Sequence, residues 1–464
     1  MRIFLRILSI AIRQKWRLAG AYAFMAGASG AYLVLPRLFG EAIDRVAKIV
    51  EGGAVPERAI FSIAALILAI GTARGILSFG QSVFTEDLSQ SVVYHLRNTF
   101  YDHVQRLSFA FHDRNHTGNL MSRAITDVEA IRMFVGMGLV RMPYFLILFA
   151  FVTIILVRLD WRLGLLAISS ILASTILASV VRLRLRLMYL RVQEEMAELS
   201  TVLQENLTGV RVVKAFGSED FEVAKFDAKN ADVARDMVKA SRLQALNASA
   251  IMFVFLVATG AVLWYGGWRV INGYITWGEL AQVFFYMQIL TLPVRQAGMM
   301  VGNFARALAA GQRLFEILDT KSAVRESASA VQMPHGRGRV RFEDVSFHYG
   351  LGSSVLRNID IEAEPGQVIA ILGTPGSGKS TIVHLLPRFY DVSSGRITID
   401  GLDVRDSTLT SLRRNIGIVQ QDIFLFDASI RDNIAYGRHD AAMEEVVEAA
   451  IAIVQHQLPA ESLS

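Results

Sequence analysis

Six stretches of this 464-residue chain are apolar around the whole circumference of a helix and close to twenty residues long. They run over 18–39, 59–79, 133–157, 163–181, 248–265 and 280–303. About twenty helical residues cross the hydrocarbon core of a bilayer. A soluble fold can hide one such helix inside its core, but not six. The composition agrees: 53% of the residues are hydrophobic and only 19% charged, with a mean hydropathy of +0.38. Charges inside the stretches are few. Arg37, Arg74 and Arg141 interrupt the first three, and Pro293 and Arg295 fall toward the end of the sixth. Arg74 is the costly one, at roughly 2.5–3.5 kcal/mol on insertion scales unless it faces protein or water. That cost admits a role on a substrate path, with packing or snorkelling as the plainer reading.

The segments between the stretches are very unequal. Residues 40–58, 158–162 and 266–279 are short, whereas 80–132 and 182–247 are long and polar. The latter carries eleven Lys and Arg between Arg182 and Arg242. An excess of basic residues marks the cytoplasmic side. Alternation then places 80–132 and both termini on that side, with the bacterial inner (plasma) membrane as the expected location. Apolar residues such as Leu187, Leu190 and Met196 recur at helical spacing among the charges. Both long loops are therefore expected to be helices continuing out of the membrane. Residues 1–16 interleave Arg2, Arg6, Arg13 and Lys15 with apolar residues, which predicts an amphipathic lead-in on the membrane surface. Trp264, Tyr265 and Trp268 fall where an interfacial aromatic belt belongs. With no cysteine, thiolate catalysis, disulfides and cysteine-ligated metal are excluded. The pI of about 9.4 needs no nucleic-acid partner, since basic loops account for it. His112 and His116 stand four apart, but without a third ligand they read as the polar rim of a helix rather than a zinc site.

After a Ser-, Gly- and Pro-containing linker at 321–339, the pattern changes to the period of strands. Residues 340–347, 359–363 and 395–401 alternate or are bounded by glycine, and 368–372 is a short apolar run of the parallel-strand type. Gly373-Thr374-Pro375-Gly376-Ser377-Gly378-Lys379-Ser380-Thr381 follows that run. It satisfies every fixed position of the G-x-x-x-x-G-K-[ST] phosphate-binding loop, and a helix up to Pro387 is expected next. In such a loop the backbone amides cradle phosphates, Lys379 reaches the β- and γ-phosphates, and the Ser380 hydroxyl meets Mg²⁺.

Six spans with two long helical loops, followed by a P-loop domain, resemble an ATP-binding cassette exporter half-transporter. The resemblance rests on several stretches. Leu107 to Arg114, Thr117 to Arg123 and Asp127-Val128 are similar to the family's first cytoplasmic loop, and Gly209 to Gly217 with Glu219 to its second. Val419-Gln420-Gln421-Asp422 and Phe424 to Ile434 resemble its glutamine loop. The implied architecture is an all-α six-helix transmembrane domain over 17–320 and a partial α/β P-loop nucleotide-binding domain over 340–464. The implied cofactors are ATP and Mg²⁺. The resemblance makes Tyr349 the aromatic that stacks on adenine. It makes Gln421, with Gln420 as rival, the glutamine that touches Mg²⁺ and water. It also implies pairing with a second half-transporter, as homodimer or heterodimer. The chain departs from the pattern near its end. An L-S-G-G-Q signature, an apolar strand ending in Asp-Glu and a switch histidine do not occur, and 458–464 does not read like the usual continuation. Asp400 is followed by Gly401 and fits a turn better than a metal site. The expected function is ATP-dependent export, with hydrolysis deficient in a chain that looks truncated and no catalytic carboxylate identified. The alternative is a non-catalytic membrane protein, a regulatory partner or degenerate fragment, that binds nucleotide weakly.

Overall fold

The structure is a computed structural model. The described residues are 2–53, 55–350, 352–421 and 423–457, without the side chains of 292–295, 297–298 and 454–457. Two compact units divide the chain: 1–99 with 123–316, and 100–122 with 317–464. The expectations at 458–464 and Asp422, and for the side chains of Pro293 and Arg295, lie outside the described residues.

The first unit is helical, as are most of residues 100–122, which belong to the second. After α1 (Arg2–Arg13) come α2 (Lys15–Val50), α3 (Glu57–Gln105), α4 (Phe109–Arg114) and α5 (Thr117–Leu159). They are followed by α6 (Trp161–Thr208), α7 (Val210–Phe216), α8 (Glu219–Ile271) and α9 (Trp277–Leu318). Among the described residues five helices, α2, α3, α5, α6 and α8, are long and apolar enough to cross a membrane. The sixth expected span lies within α9. The helices outrun the apolar stretches. At 1.5 Å per residue the 49 residues of α3, 48 of α6 and 53 of α8 reach roughly 70–80 Å each. The long loops are thus helices, as their periodicity predicts. The segment expected to be loop from 40 instead stays helical to Val50.

Asp160 shows how a short turn is built. Its carboxylate caps α6 by accepting from the amides of Arg162 (2.9 Å) and Leu163 (3.0 Å), and it pairs with Arg269 at the end of α8. Around that corner lies the apolar core of Leu156, Leu163, Val262, Leu280 and Leu290. The α1 helix makes contacts that its pattern does not announce. The helix is amphipathic, but its apolar side meets protein: Ile7 and Ala11 are buried, Phe4 sits edge-on to Phe134 and Phe304, and Arg6 lies over the Phe315 ring at 4.1 Å. Leu5 and Ile12 of the same helix stay exposed, at 54% and 46%. Residues 123–127 and 134–141 of α5 are π-helical turns, which local periodicity does not announce. Asp127, in the first, is buried and accepts from Arg313 Nε at 2.9 Å.

The second unit holds an antiparallel sheet in the order β2-β1-β3-β4, from β1 (Val340–His348), β2 (Ser354–Ala363), β3 (Ser394–Ile399) and β4 (Leu402–Asp403). Phe342 faces Ile361 on one side and Ile397 on the other. On this sheet pack α10 (Lys379–Leu385) and α11 (Leu409–Arg414), through Leu385 and Leu412. Beyond them lie α12 (Ile430–Ile434) and α13 (Met443–Gln457). Residues 319–339 have no helix or strand ladder but are tied down: the Val331 amide donates to Asp406 O at 2.8 Å and the Met333 amide to Ser411 Oγ at 2.8 Å.

One strand expectation fails. Residues 368–372 form neither helix nor strand, with Val368 93% and Leu372 91% exposed. A parallel strand draws its ladder and its burial from neighbours on both edges. The four described strands pair only with one another and none runs beside it.

Candidate functional site

The phosphate-binding loop is shaped by its glycines. Gly376 and Gly378 take φ of +84° and +90°, backbone that a side chain resists. A Cβ at Gly378 would also fall 2.7 Å from Leu356 Cδ2. Gly378 therefore lets the loop pass close over β2 before α10 starts at Lys379. The first amides of a helix lack partners within it, so this end offers donors and positive potential to an anion. Lys379 curls back over the loop, its Nζ donating to the carbonyls of Gly373 (2.9 Å) and Thr374 (2.9 Å). Ser377 Oγ is 3.5 Å from the same ammonium. These carbonyls hold the charge where phosphate oxygens would compete for it, so the cradle and the cation fit a phosphate chain. The Ser380 hydroxyl is exposed next to it.

Two further candidates stand differently. Tyr349 is joined to the loop, since its hydroxyl lies 3.1 Å from Thr381 Oγ1 on α10. Its ring is set edge-on to Phe347 at 4.8 Å and to Tyr390 at 5.2 Å, and remains 39% exposed. Gln421 and Gln420 lie in an exposed extended stretch, and among the described residues neither makes a hydrogen bond to the loop. Asp400 takes φ of +51° and its carboxylate accepts from the amides of Gly338 (3.0 Å) and Arg339 (2.9 Å). Those bonds hold its pKa below the usual carboxylate range. Its oxygens are engaged in a turn, as its sequence context suggests.

The resemblance had singled out Phe109 and Asp113 within Leu107 to Arg114, but sequence reasoning missed their partners in this domain. Phe109 of α4 stacks on Phe389, centroids 4.1 Å apart. The Tyr390 hydroxyl donates to Asp113. Burial first, and the Asp113 carboxylate second, push the Tyr390 phenol well above its ordinary value. Arg388, only 4% exposed, holds this corner with Nε on Asp391 at 2.6 Å and Nη2 on Arg325 O at 2.9 Å. The sole signal was the polar and aromatic run Arg388-Phe389-Tyr390-Asp391 directly after the helix-ending Pro387. Elsewhere, His112 Nε2 lies 3.2 Å from the Val104 carbonyl.

A bundle of membrane-length helices followed by a P-loop on a small sheet defines a membrane protein built to use a nucleotide. Comparison with known proteins is specific. A profile of the ABC transporter transmembrane region matches residues 20–294, and one described as ABC transporter matches 356–464. The chain is 34% identical over 464 residues to an ATP-dependent lipid A-core flippase of Syntrophus aciditrophicus, covering 98% of this chain and 75% of that protein. It is 34% identical over 384 residues to the ABC transporter ATP-binding protein YknU of Bacillus subtilis, covering 82% of this chain and 66% of that one. The structure of a bacterial Atm1-family ABC exporter with ATP bound superposes with a TM-score of 0.70 at 27% identity, covering 96% of this chain and 78% of the other. The chain spans about two thirds to three quarters of the length of these two sequence relatives. It belongs to the ATP-binding cassette transporters and has the fold of an exporter half-transporter, an integral membrane protein of an ATP-binding family.

Proposed function

We propose that this chain is one half of a dimeric ATP-driven exporter, with both termini in the cytoplasm, and that it takes an amphiphile with an anionic head. The nucleotide role rests on one observation above others: an ammonium, Lys379, held over a glycine-shaped loop at the start of a helix. In this reading Gly373 to Thr381 bind the phosphates, Tyr349 carries the base, and the Ser380 hydroxyl and Gln421 carbonyl hold Mg²⁺. Bound Mg²⁺ would neutralise phosphate charge, and the chain's part is to position and enclose. The first-loop helix, fastened through Phe109 and Asp113 to Phe389 and Tyr390, would carry the domain's motion to the spans.

The substrate class follows from Arg74. Its guanidinium lies 3.7 Å over the Tyr32 ring, within a stretch otherwise apolar. A cation kept in a span at that cost is balanced in part by an aromatic face and is satisfied further by an anion. A lipid with a phosphorylated head fits such a place, and one relative is named as a lipid A-core flippase. Binding of dodecyl phosphate and of dodecyl maltoside to the chain in lipid nanodiscs tests this. Arg74→Ala is expected to weaken the phosphate about tenfold and spare the maltoside. Equal binding of dodecyl phosphate by both proteins would reject the assignment.

A second reading applies to residues 1–464 by themselves: nucleotide binding without turnover. The exposed stretch 368–372, which pairs with none of the described strands, favours it.

A further inference from the structure

A cavity of about 720 Å³ lies beside the Tyr349 ring, lined on one side by Ala110, Asp113 and Arg114 of α4 and on the other by His348, Tyr349 and Tyr390. The wall on the Tyr349 side is rigid. The tyrosine is fixed through its hydroxyl to Thr381 and through its edges to Phe347 and Tyr390. The His348 ring nitrogen lies 2.7 Å from the carbonyl of Gly350. On the opposite wall, Arg114 reaches across to the backbone after Tyr349. A Cβ at Gly350 would come 2.7 Å from Arg114 Nη2, so the guanidinium lies against the backbone of that residue, which takes φ of +58°. Among the described residues Arg114 makes no ion pair, although Asp113 is its neighbour, because Asp113 faces the Tyr390 hydroxyl. A planar cation with no ion pair among the described residues therefore stands beside an aromatic ring tied to the phosphate-binding loop.

We propose that Arg114, a residue of the first long loop, helps to read the base of the bound nucleotide, its guanidinium donating to ring nitrogens of a purine laid on Tyr349. This rests on the reading of residues 373–381 as a nucleotide site. The chemistry is complementary: a purine offers in-plane acceptors, a guanidinium offers fixed in-plane donors, and Tyr349 offers a flat face. It also gives the first long loop a direct contact with the ligand in the same chain. Asp113 acts as a positioning residue, keeping Tyr390 and α4 in place.

The test separates base from phosphate. Binding of Mg-ATP and of Mg-tripolyphosphate, which has no base, is measured on the chain in nanodiscs. The proteins compared are wild type and the variants Arg114→Ala, Arg114→Lys and Lys379→Ala. The expected result is a loss of about tenfold for ATP in Arg114→Ala, with unchanged tripolyphosphate binding, which also reports an intact fold. Arg114→Lys should recover part of the loss. Lys379→Ala should weaken both ligands, and its failure to do so would reject the phosphate site itself. Unchanged ATP binding in Arg114→Ala overturns the base-reading role, as does an equal loss for both ligands, which would make Arg114 a general attractor of anions. Wild-type protein that binds ATP no better than tripolyphosphate overturns it too.

Discussion

Phe109 and Phe389 lie nearly parallel, ring centroids 4.1 Å apart and planes inclined by 22°. They are 280 positions apart in the chain, and Phe389 lies in the bend that follows α10. Phe109 opens the six-residue α4, too short to be stable alone. Its helicity therefore depends on docking. An aromatic pair contributes about 0.5–1.5 kcal/mol beyond its buried area. Removing it should let α4 open more often while the sheet beneath stays folded. Amide hydrogen exchange over 109–114 is expected to speed up about tenfold in Phe109→Ala, with exchange in β1 and β3 unchanged. Unaltered exchange in α4 would show that Asp113 and Tyr390 suffice to hold it.

That pair also marks the limit of what local pattern reveals. Membrane helices are legible because each needs one composition over about twenty residues. β1 and β3 are legible because Val340, Phe342 and Ile397 alternate with polar residues. The phosphate loop is legible because its glycines and lysine act within nine positions. The contacts of Phe389 and Tyr390 depend on residues from a different part of the chain, and no local period encodes them. The stretch 368–372 failed for the converse reason. Its composition suits a buried strand, but a strand also needs partners, and composition does not supply them. Likewise the amphipathic pattern of α1 states that one face is apolar without saying whether lipid or Phe304 covers it.

Glu195 gives a pH-dependent prediction. It lies in the seam between α6 and α8, and its Oε2 is buried with no hydrogen-bond partner. Burial, and then the Asp236 carboxylate facing it, raise its pKa above the ordinary glutamate value. A raised carboxyl pKa means the folded state holds a proton more tightly than the unfolded one. The resulting stability is present below the unfolded value, near 4.3, and is lost as pH rises through the folded value. The thermal midpoint of the wild type should therefore rise as pH is lowered from neutrality toward the ordinary glutamate range. Glu195→Gln cannot ionise, so it should be the more stable protein at neutral pH and show a flatter profile. Parallel profiles for the two proteins would contradict the assignment.

The basic loops predict a topology. Eleven Lys and Arg between Arg182 and Arg242 favour the cytoplasmic side, and one span or its equivalent separates them from each neighbouring turn. Gly217 ends α7 in a left-handed cap at φ +62°, an exposed place that tolerates an inserted reporter. Gly53 lies in the short connection between α2 and α3. Fusions at the two positions should report opposite sides of the membrane, Gly217 inside. The same side for both would break the six-span arrangement.

The last prediction concerns turnover by a polypeptide of residues 1–464. In the proposed reading, binding Mg-ATP calls on the loop amides, the Lys379 ammonium and the face of Tyr349. Hydrolysis calls on more. A positioned group must orient the attacking water, and preorganised charge must meet the transition state. Within these residues Asp400 is taken up by the amides of Gly338 and Arg339, and Gln421 stands exposed with no bond to the loop. The apolar run leading into the loop is unpaired, so the loop lacks a sheet strand as its rigid base. Nucleotide should therefore bind weakly and turn over negligibly, and Lys379→Ala should reduce binding while leaving that turnover unchanged. Measuring ATPase activity of the purified polypeptide in lipid, beside the variant, decides the matter. Robust hydrolysis that disappears in Lys379→Ala would show that a group in this chain other than Asp400 activates the water.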